Sequence, residues 1–232
     1  MSFEDFCVNS MAALHSPTHV HSHMVAKLSV CLARHLLALR PELFIGIFDT
    51  ETAGAVTSIA DRILDHTWHA ALCHDIGKLL IIDTVAMYGR SLLDDEYANL
   101  RLHPDAGADL AVKHLSTRDY ADVIRGHHLW YDGTDGYPSG FDRDGSPYRT
   151  IIDIVSVCDC MDAATDSVGR SYSRGKTFEE FEKEVSEAAG TRYAPWLPEL
   201  FRDPGTRKDL LYLLDEGRSV AYRKTYALLR GI

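Results

Sequence analysis

Apolar residues recur along this chain mostly at spacings of three and four, the period of a helix face turned toward a core. Val25, Leu28, Leu32, Leu36 and Leu39 predict a helix over about His19 to Leu39, which Pro41 ends. Residues 41 to 58, with Gly46, Gly54 and several threonines, read as a loop or short irregular insert on the surface. A helix from about Ile59 to Gly77 follows. Asp94, Asp95 and Glu96 suit a helix N-terminus and open an element reaching about Leu102, and Pro104 starts the next. Ser116 to Asp119 resembles a capping box at the head of a helix that carries Ile124 and reaches His127 and His128. The density of Gly, Asp and Pro makes Tyr131 to Pro147 a long loop. Ser146 as N-cap and Pro147 at the first helical position then begin an apolar helix through Ala164. Thr177 to Glu180 caps a further helix, and Asp209 to Leu229 reads as the last. No segment alternates as a strand, so the pattern predicts an all-α bundle. With no repeat or low-complexity tract, residues 1–232 read as one domain, with the chemistry in 21–172 and C-terminal helices in 177–229.

Composition narrows what such a bundle does. A hydrophobic fraction of 46% over 232 residues supplies an ample core. The net charge of -10 excludes sequence-independent capture of DNA or RNA duplexes and of anionic membranes, so any phosphate recognition is local. There is no apolar run long enough for membrane insertion and no signal peptide at Met1 to Asp5. The five cysteines, Cys7, Cys31, Cys73, Cys158 and Cys160, form no C-x-x-C pair and suit small buried hydrophobes in a reducing, cytoplasmic setting. Twelve histidines are the unusual feature.

Where those histidines fall on their helices matters more than their number. His21 precedes Val25 by four and Leu28 by seven, which puts it on the inward stripe, whereas His23 shares a face with Lys27, Val30 and Arg34 and reads as a solvated neighbour. His15 and His19 fall before the settled helix. A lone histidine on an apolar face is usually a satisfied core residue, so His21 alone proves nothing. Later in the chain, Tyr148, Ile152, Val155, Asp159 and Asp162 form one stripe, aiming two carboxylates at the core. A buried carboxylate needs a partner or a metal, and Thr150 to Ala164 offers no Lys or Arg, so ligation is favoured for Asp159. The pairs His74-Asp75 and His127-His128 each end an apolar helix, and adjacent residues diverge by about 100°, which suits two ions better than one. His103 adds a seventh donor. Imidazole mixed with carboxylate suits two divalent transition-metal ions, iron or manganese, more than magnesium or calcium.

In order along the chain, His21-Ser22-His23, His74-Asp75-Ile76-Gly77-Lys78, His103-Pro104-Asp105-Ala106-Gly107, His127-His128 with Gly136-Tyr137-Pro138, and Asp159-Cys160-Met161-Asp162-Ala163 resemble the motifs of the HD-GYP family of HD phosphohydrolases. The resemblance implies hydrolysis of cyclic di-GMP to pGpG, in some members onward to GMP. It implies His21, His74, Asp75, His103, His127, His128 and Asp159 as metal ligands, Asp75 and Lys78 as catalytic groups, and Lys78, Arg170, Tyr137 and Arg174 as substrate contacts. Two metals about 3.5 to 4 Å apart would lower the pKa of a bridging water and clamp both oxygens of an in-line displacement. Members with a third metal carry Glu four residues before the first histidine; Pro17 stands there, so two metals are expected. Leu129 replaces the usual Glu, the loop to Gly136 is one residue longer, and the basic residue expected after Tyr172 is displaced to Arg174 or Lys176. These departures keep two competing readings open, turnover of another nucleotide or a binding adaptor that has lost turnover. Fewer than about 20 residues precede the first motif, so regulation by a signalling partner protein or a free-standing chain is expected, and the apolar faces from Arg170 onward suit either core or a homodimer interface.

Overall fold

The structure, a computed structural model, describes residues 1–86, 91–168 and 174–231, which form thirteen α-helices and several 3₁₀ turns with no strand among them. The expected all-α class is what the chain adopts.

The first helix, α1 (Phe3–Leu14), was not legible from periodicity. Ser2 and Asp5 close a capping box at its head, and the small stripe Cys7, Val8, Met11 and Ala12 lies against the core. Helix α2 (Ser16–Leu39) begins before His19, because the His15 ring caps it by accepting from the Thr18 amide at 3.3 Å. His19 therefore belongs to the helix, and its Nδ1 meets Thr225 Oγ1 at 2.9 Å. Val25, Leu28, Leu32 and Leu36 are all buried, as their spacing required. Residues 41–58 differ from the expected surface insert: two 3₁₀ turns, Pro41–Phe44 and Ile47–Asp49, and α3 (Ala53–Ser58) bury Phe44, Ile47 and Val56 in the core.

Helix α4 (Ala60–Cys73) stops four residues short of Gly77, and a 3₁₀ segment, Ile76–Ile81, leads into α5 (Ile82–Val85). Helices α6 (Asp94–Leu100) and α7 (His103–Ala111) follow. The expected capping box at Ser116 is absent: Thr117 Oγ1 donates to the Ala111 carbonyl at 2.9 Å, and a 3₁₀ turn, Arg118–Tyr120, precedes α8 (Ala121–Gly126). The loop over 131–147 is irregular as expected, but α9 (Arg149–Thr165) starts two residues after Pro147; Ser146 Oγ accepts from the Tyr148 amide at 3.2 Å while donating to Asp122 at 2.7 Å. After the Thr177 capping box come α10 (Phe178–Glu187), α11 (Leu197–Arg202), α12 (Pro204–Tyr212), a π turn and α13 (Arg218–Arg230). Helix α2 lies against α4 on one side and α9 on the other, and one apolar cluster runs from α1 to α12. The chemistry-bearing motifs sit where these three helices meet α7 and α8.

None of the described helices is long and apolar enough to cross a membrane. All five cysteines are free thiols, and four of them are buried.

Candidate metal centre

Two glycines decide how the HD segment meets α7. A Cβ on Gly77 would fall 2.0 Å from the His103 carbonyl oxygen and 2.7 Å from the Gly107 amide. The backbone contact made possible by Gly77 and Gly107 brings His103 to Asp75, with His103 Nε2 3.2 Å from Asp75 Oδ1. His74 and Asp75 lie just past the end of α4, and His127 and His128 just past the end of α8. Each pair can therefore turn both side chains inward, as adjacent residues within a helix could not.

The ring orientations are fixed by main-chain carbonyls. His74 Nδ1 donates to the Ala71 carbonyl, His103 Nδ1 to Leu100 and His127 Nδ1 to Ile124, each at 2.7 Å and each three residues back. A carbonyl only accepts, so these three rings carry their proton on Nδ1 and present a bare Nε2 lone pair inward. His103 Nε2 and His127 Nε2 then oppose one another at 3.2 Å with no proton between them. His74 Nε2 and Asp75 Oδ1 are buried without a hydrogen-bond partner. Lone pairs and carboxylate oxygens aimed at one another in a buried space are unfavourable unless a cation sits among them. The donor set therefore fits metal ions.

Two groups of donors emerge. Ligand atoms of His21, His74 and Asp159 lie within 4.8 Å of one another, and so do those of His103, His127 and His128. Asp75 stands between the groups: Oδ2 is 3.4 Å from His74 Nε2 and 3.8 Å from His21 Nε2, while Oδ1 faces His103. His128 Nδ1, 3.6 Å from Asp159 Oδ2, ties the second group back to the first. Every one of the seven donors expected from sequence is brought to this centre. His23 is not: its half-buried ring meets His19 edge-on and lies tilted beside Trp68, in place of the solvated position expected for it.

Electrostatics follow from burial. Burial alone would push the Asp75 carboxyl up, but the Lys78 cation, whose Nζ is 2.5 Å from Oδ2, holds it well below the usual carboxylate range. Asp159 stays low in the same way, burial being outweighed by its hydrogen bond from His21. Burial and then repulsion from neighbouring imidazoles drive His127 well below the ordinary histidine value, and burial brings His128 down to about 3. Both are neutral donors at pH 7. His21 goes the other way: burial disfavours its charge, yet hydrogen bonds to Asp159 at 2.9 Å and Asp162 at 2.7 Å raise it to about 9.

Asp162 has no basic partner on its own helix, and the structure supplies one from another. Arg218, arriving from α13, donates to Asp162 Oδ1 at 2.8 Å, to Thr165 Oγ1 at 2.8 Å and to the Thr165 carbonyl at 2.9 Å. Asp162 thus orients His21 and is itself held by Arg218, the arrangement of a carboxylate behind a metal-binding histidine. A signal for this existed: Arg218, Ala221 and Thr225 share the buried stripe of α13, an unusual place for an arginine.

The centre opens into a cleft of about 730 Å³, large enough for a nucleotide ligand. Lys78, His103, His128 and Asp159 form its floor, and Leu129, Trp130, Gly136 and Tyr137 one wall. The loop closes tightly because Gly136, at φ +97, leaves no room for a Cβ beside the His128 carbonyl, 2.3 Å away. Tyr137 lays its ring 4.5 Å from that of His128. Arg174 lines the cleft but is 82% exposed and paired with Glu180, while Arg170 lies outside the described residues. Arg101, Lys176 and Arg192 also line it, a local basic patch in an acidic protein. Spacing singled out neither Arg101 nor Arg192.

The family model for the HD domain matches residues 18–164, more than half of the sequence and all seven donors. The chain belongs to the HD domain family. This HD domain is 29% identical over 175 residues to a cyclic di-GMP phosphodiesterase of Pseudomonas aeruginosa, an alignment covering 75% of the chain and 36% of the relative. It is 31% identical over 134 residues to a cyclic di-GMP phosphodiesterase of Thermotoga maritima, covering 57% and 35%. A 3'3'-cGAMP-specific phosphodiesterase of Vibrio cholerae is 27% identical over 144 residues, covering 61% and 27%. The chain spans about a third of the length of the curated relatives it matches. Its five ordered motifs resemble those of the HD-GYP group within that family.

Proposed function

We propose that this HD domain is a metal-dependent phosphodiesterase that opens cyclic di-GMP to the linear dinucleotide pGpG. The observation that carries the reading is the convergence of three bare imidazole nitrogens on Asp75 at the floor of a cleft with basic walls. His21, His74 and Asp159 would hold one divalent transition-metal ion, His103, His127 and His128 a second, and Asp75 both, with iron or manganese the best match to the donors. Bound there, the two ions would supply Lewis-acid stabilisation of the phosphoryl oxygens and lower the pKa of the attacking water.

The chain's own residues do the rest. Asp162 keeps the His21 ring pointed inward, and Arg218 holds Asp162 in its buried position by a hydrogen bond. Lys78 holds Asp75 in place and, lining the cleft, neutralises a non-bridging phosphate oxygen as charge develops. Tyr137 shields His128 from solvent and presents a ring face to the substrate. Pro17, at the second position of α2, offers no side-chain donor, so the count of ions is two.

The test is turnover. Protein loaded with Mn or Fe is expected to convert cyclic di-GMP to pGpG, read by chromatography, and His74→Ala/Asp75→Ala to lose that conversion. Absence of product from the wild type, or equal activity in the double variant, contradicts the proposal. Leu129 at the usual Glu position favours a second reading, a cyclic di-GMP receptor without turnover, which tight binding with full metal occupancy and no product would establish.

A further inference from the structure

The cleft extends past the metal centre to a group that lies beyond the matched HD segment and that none of the motifs includes. Arg192, half-buried, places Nη2 3.2 Å from Cys160 Sγ, the residue after Asp159. Its position is built. The Tyr131 amide donates to the Arg192 carbonyl at 3.1 Å and the Asp132 amide to Thr191 at 3.0 Å, which ties this turn to the loop after His128. On α10, Glu184 receives Lys176 Nζ at 2.5 Å on Oε2 and, on Oε1, Tyr193 Oη at 3.3 Å and Arg192 Nη1 at 3.5 Å. The carboxylate is largely spent on its neighbours, while Arg192 and Lys176 keep unspent N–H donors along the cleft. Trp130 lines the same space with aromatic surface.

We infer that Arg192, held by Glu184, reads the O6/N7 edge of one guanine of the dinucleotide, with Trp130 beside it as a stacking surface. The chemistry favours a base over a phosphate. Glu184 offsets one of the two local cations and would repel a phosphate, whereas a neutral ring with two adjacent acceptors suits a planar fork of donors. Guanine presents that acceptor pair; adenine replaces O6 with an amino donor that would oppose the guanidinium. Base–aromatic stacking is tolerant of base identity, so discrimination falls to Arg192. The inference rests on the cyclic dinucleotide reading above and adds to it the residue that chooses the base.

Binding separates the two claims, because it does not require turnover. Calorimetric affinities of the metal-loaded full chain for cyclic di-GMP and cyclic di-AMP are the measurement, with Arg192→Gln as the variant. The wild type is expected to prefer cyclic di-GMP, and Arg192→Gln to shrink that preference by about 10- to 100-fold, the usual worth of one bidentate base contact. Should Arg192→Gln fail to fold, judged by its thermal transition, Arg192→Lys keeps the charge and loses the fork, and is expected to shrink the preference in the same direction. If a folded variant weakens both ligands equally, Arg192 is a phosphate contact and the inference is wrong. An unchanged preference is equally fatal to it. A wild type that binds neither ligand overturns the dinucleotide reading itself, and the inference with it.

Discussion

Arg218→Met is the perturbation that best separates scaffold from metal site, because Arg218 lies outside the matched HD segment and touches none of the seven donors directly. The substitution leaves a similar volume but removes three hydrogen bonds, and it strands Asp162, whose side chain is 3% exposed, with His21 as its remaining charged partner. Breaking a buried pair by removing one member costs about 3–5 kcal/mol. With an unfolding entropy of roughly 2.1 cal/mol/K per residue, 232 residues give about 0.5 kcal/mol/K, so the melting midpoint should fall by about 6–10 °C. The same change loosens Asp162, the carboxylate that orients His21, and loss of such support behind a ligand weakens metal binding by about 10- to 100-fold. Calorimetry gives the first quantity and competition with a chelator the second. A lowered midpoint with unchanged metal affinity would show that Arg218 is mere scaffold; an unchanged midpoint would refute the buried-pair argument altogether.

Three further outcomes follow from the same geometry. Gly77→Ala forces a Cβ to within 2.0 Å of the His103 carbonyl, so α7 must move; thermal unfolding should show a loss of about 3 kcal/mol, with weakened metal uptake, and a neutral result would discredit the close-approach account. In metal-free protein the His21 imidazole should titrate near pH 9 by NMR. Because its folded value is raised, its stabilising contribution is complete below about pH 6.5 and lost as pH rises through 9, and metal uptake at neutral pH should release a proton; a midpoint near 6.5 contradicts this. Chelation should lower the melting midpoint, since it leaves His103 Nε2 and His127 Nε2 facing each other at 3.2 Å, and Mn should restore it; an unaltered midpoint argues against metal in this cluster.

Much of this was legible before any coordinates. The α2 and α9 stripes placed His21 and Asp159 correctly because helical period and burial are local properties that a core-facing side chain cannot escape. The adjacent pairs at 74–75 and 127–128 were informative because a helix end is where two neighbours can face one way. What escaped was long-range. Nothing near Asp162 foretells that Arg218, 56 residues on, arrives beside it, and nothing near Cys160 foretells Arg192. Short helices were also misjudged: α1 buries small residues with little periodic contrast, and Thr117, expected within a capping box, spends its hydroxyl on the Ala111 carbonyl. The insert at 41–58 joined the core because Phe44, Ile47 and Val56 outweigh the turn residues around them.

The central claim is that two metal ions occupy one divided cluster, and anomalous diffraction from crystals of the Mn-loaded protein tests it most directly. The account predicts two peaks, one among His21, His74 and Asp159 and one among His103, His127 and His128, with Asp75 between them. A single peak, or none at these residues, would contradict it.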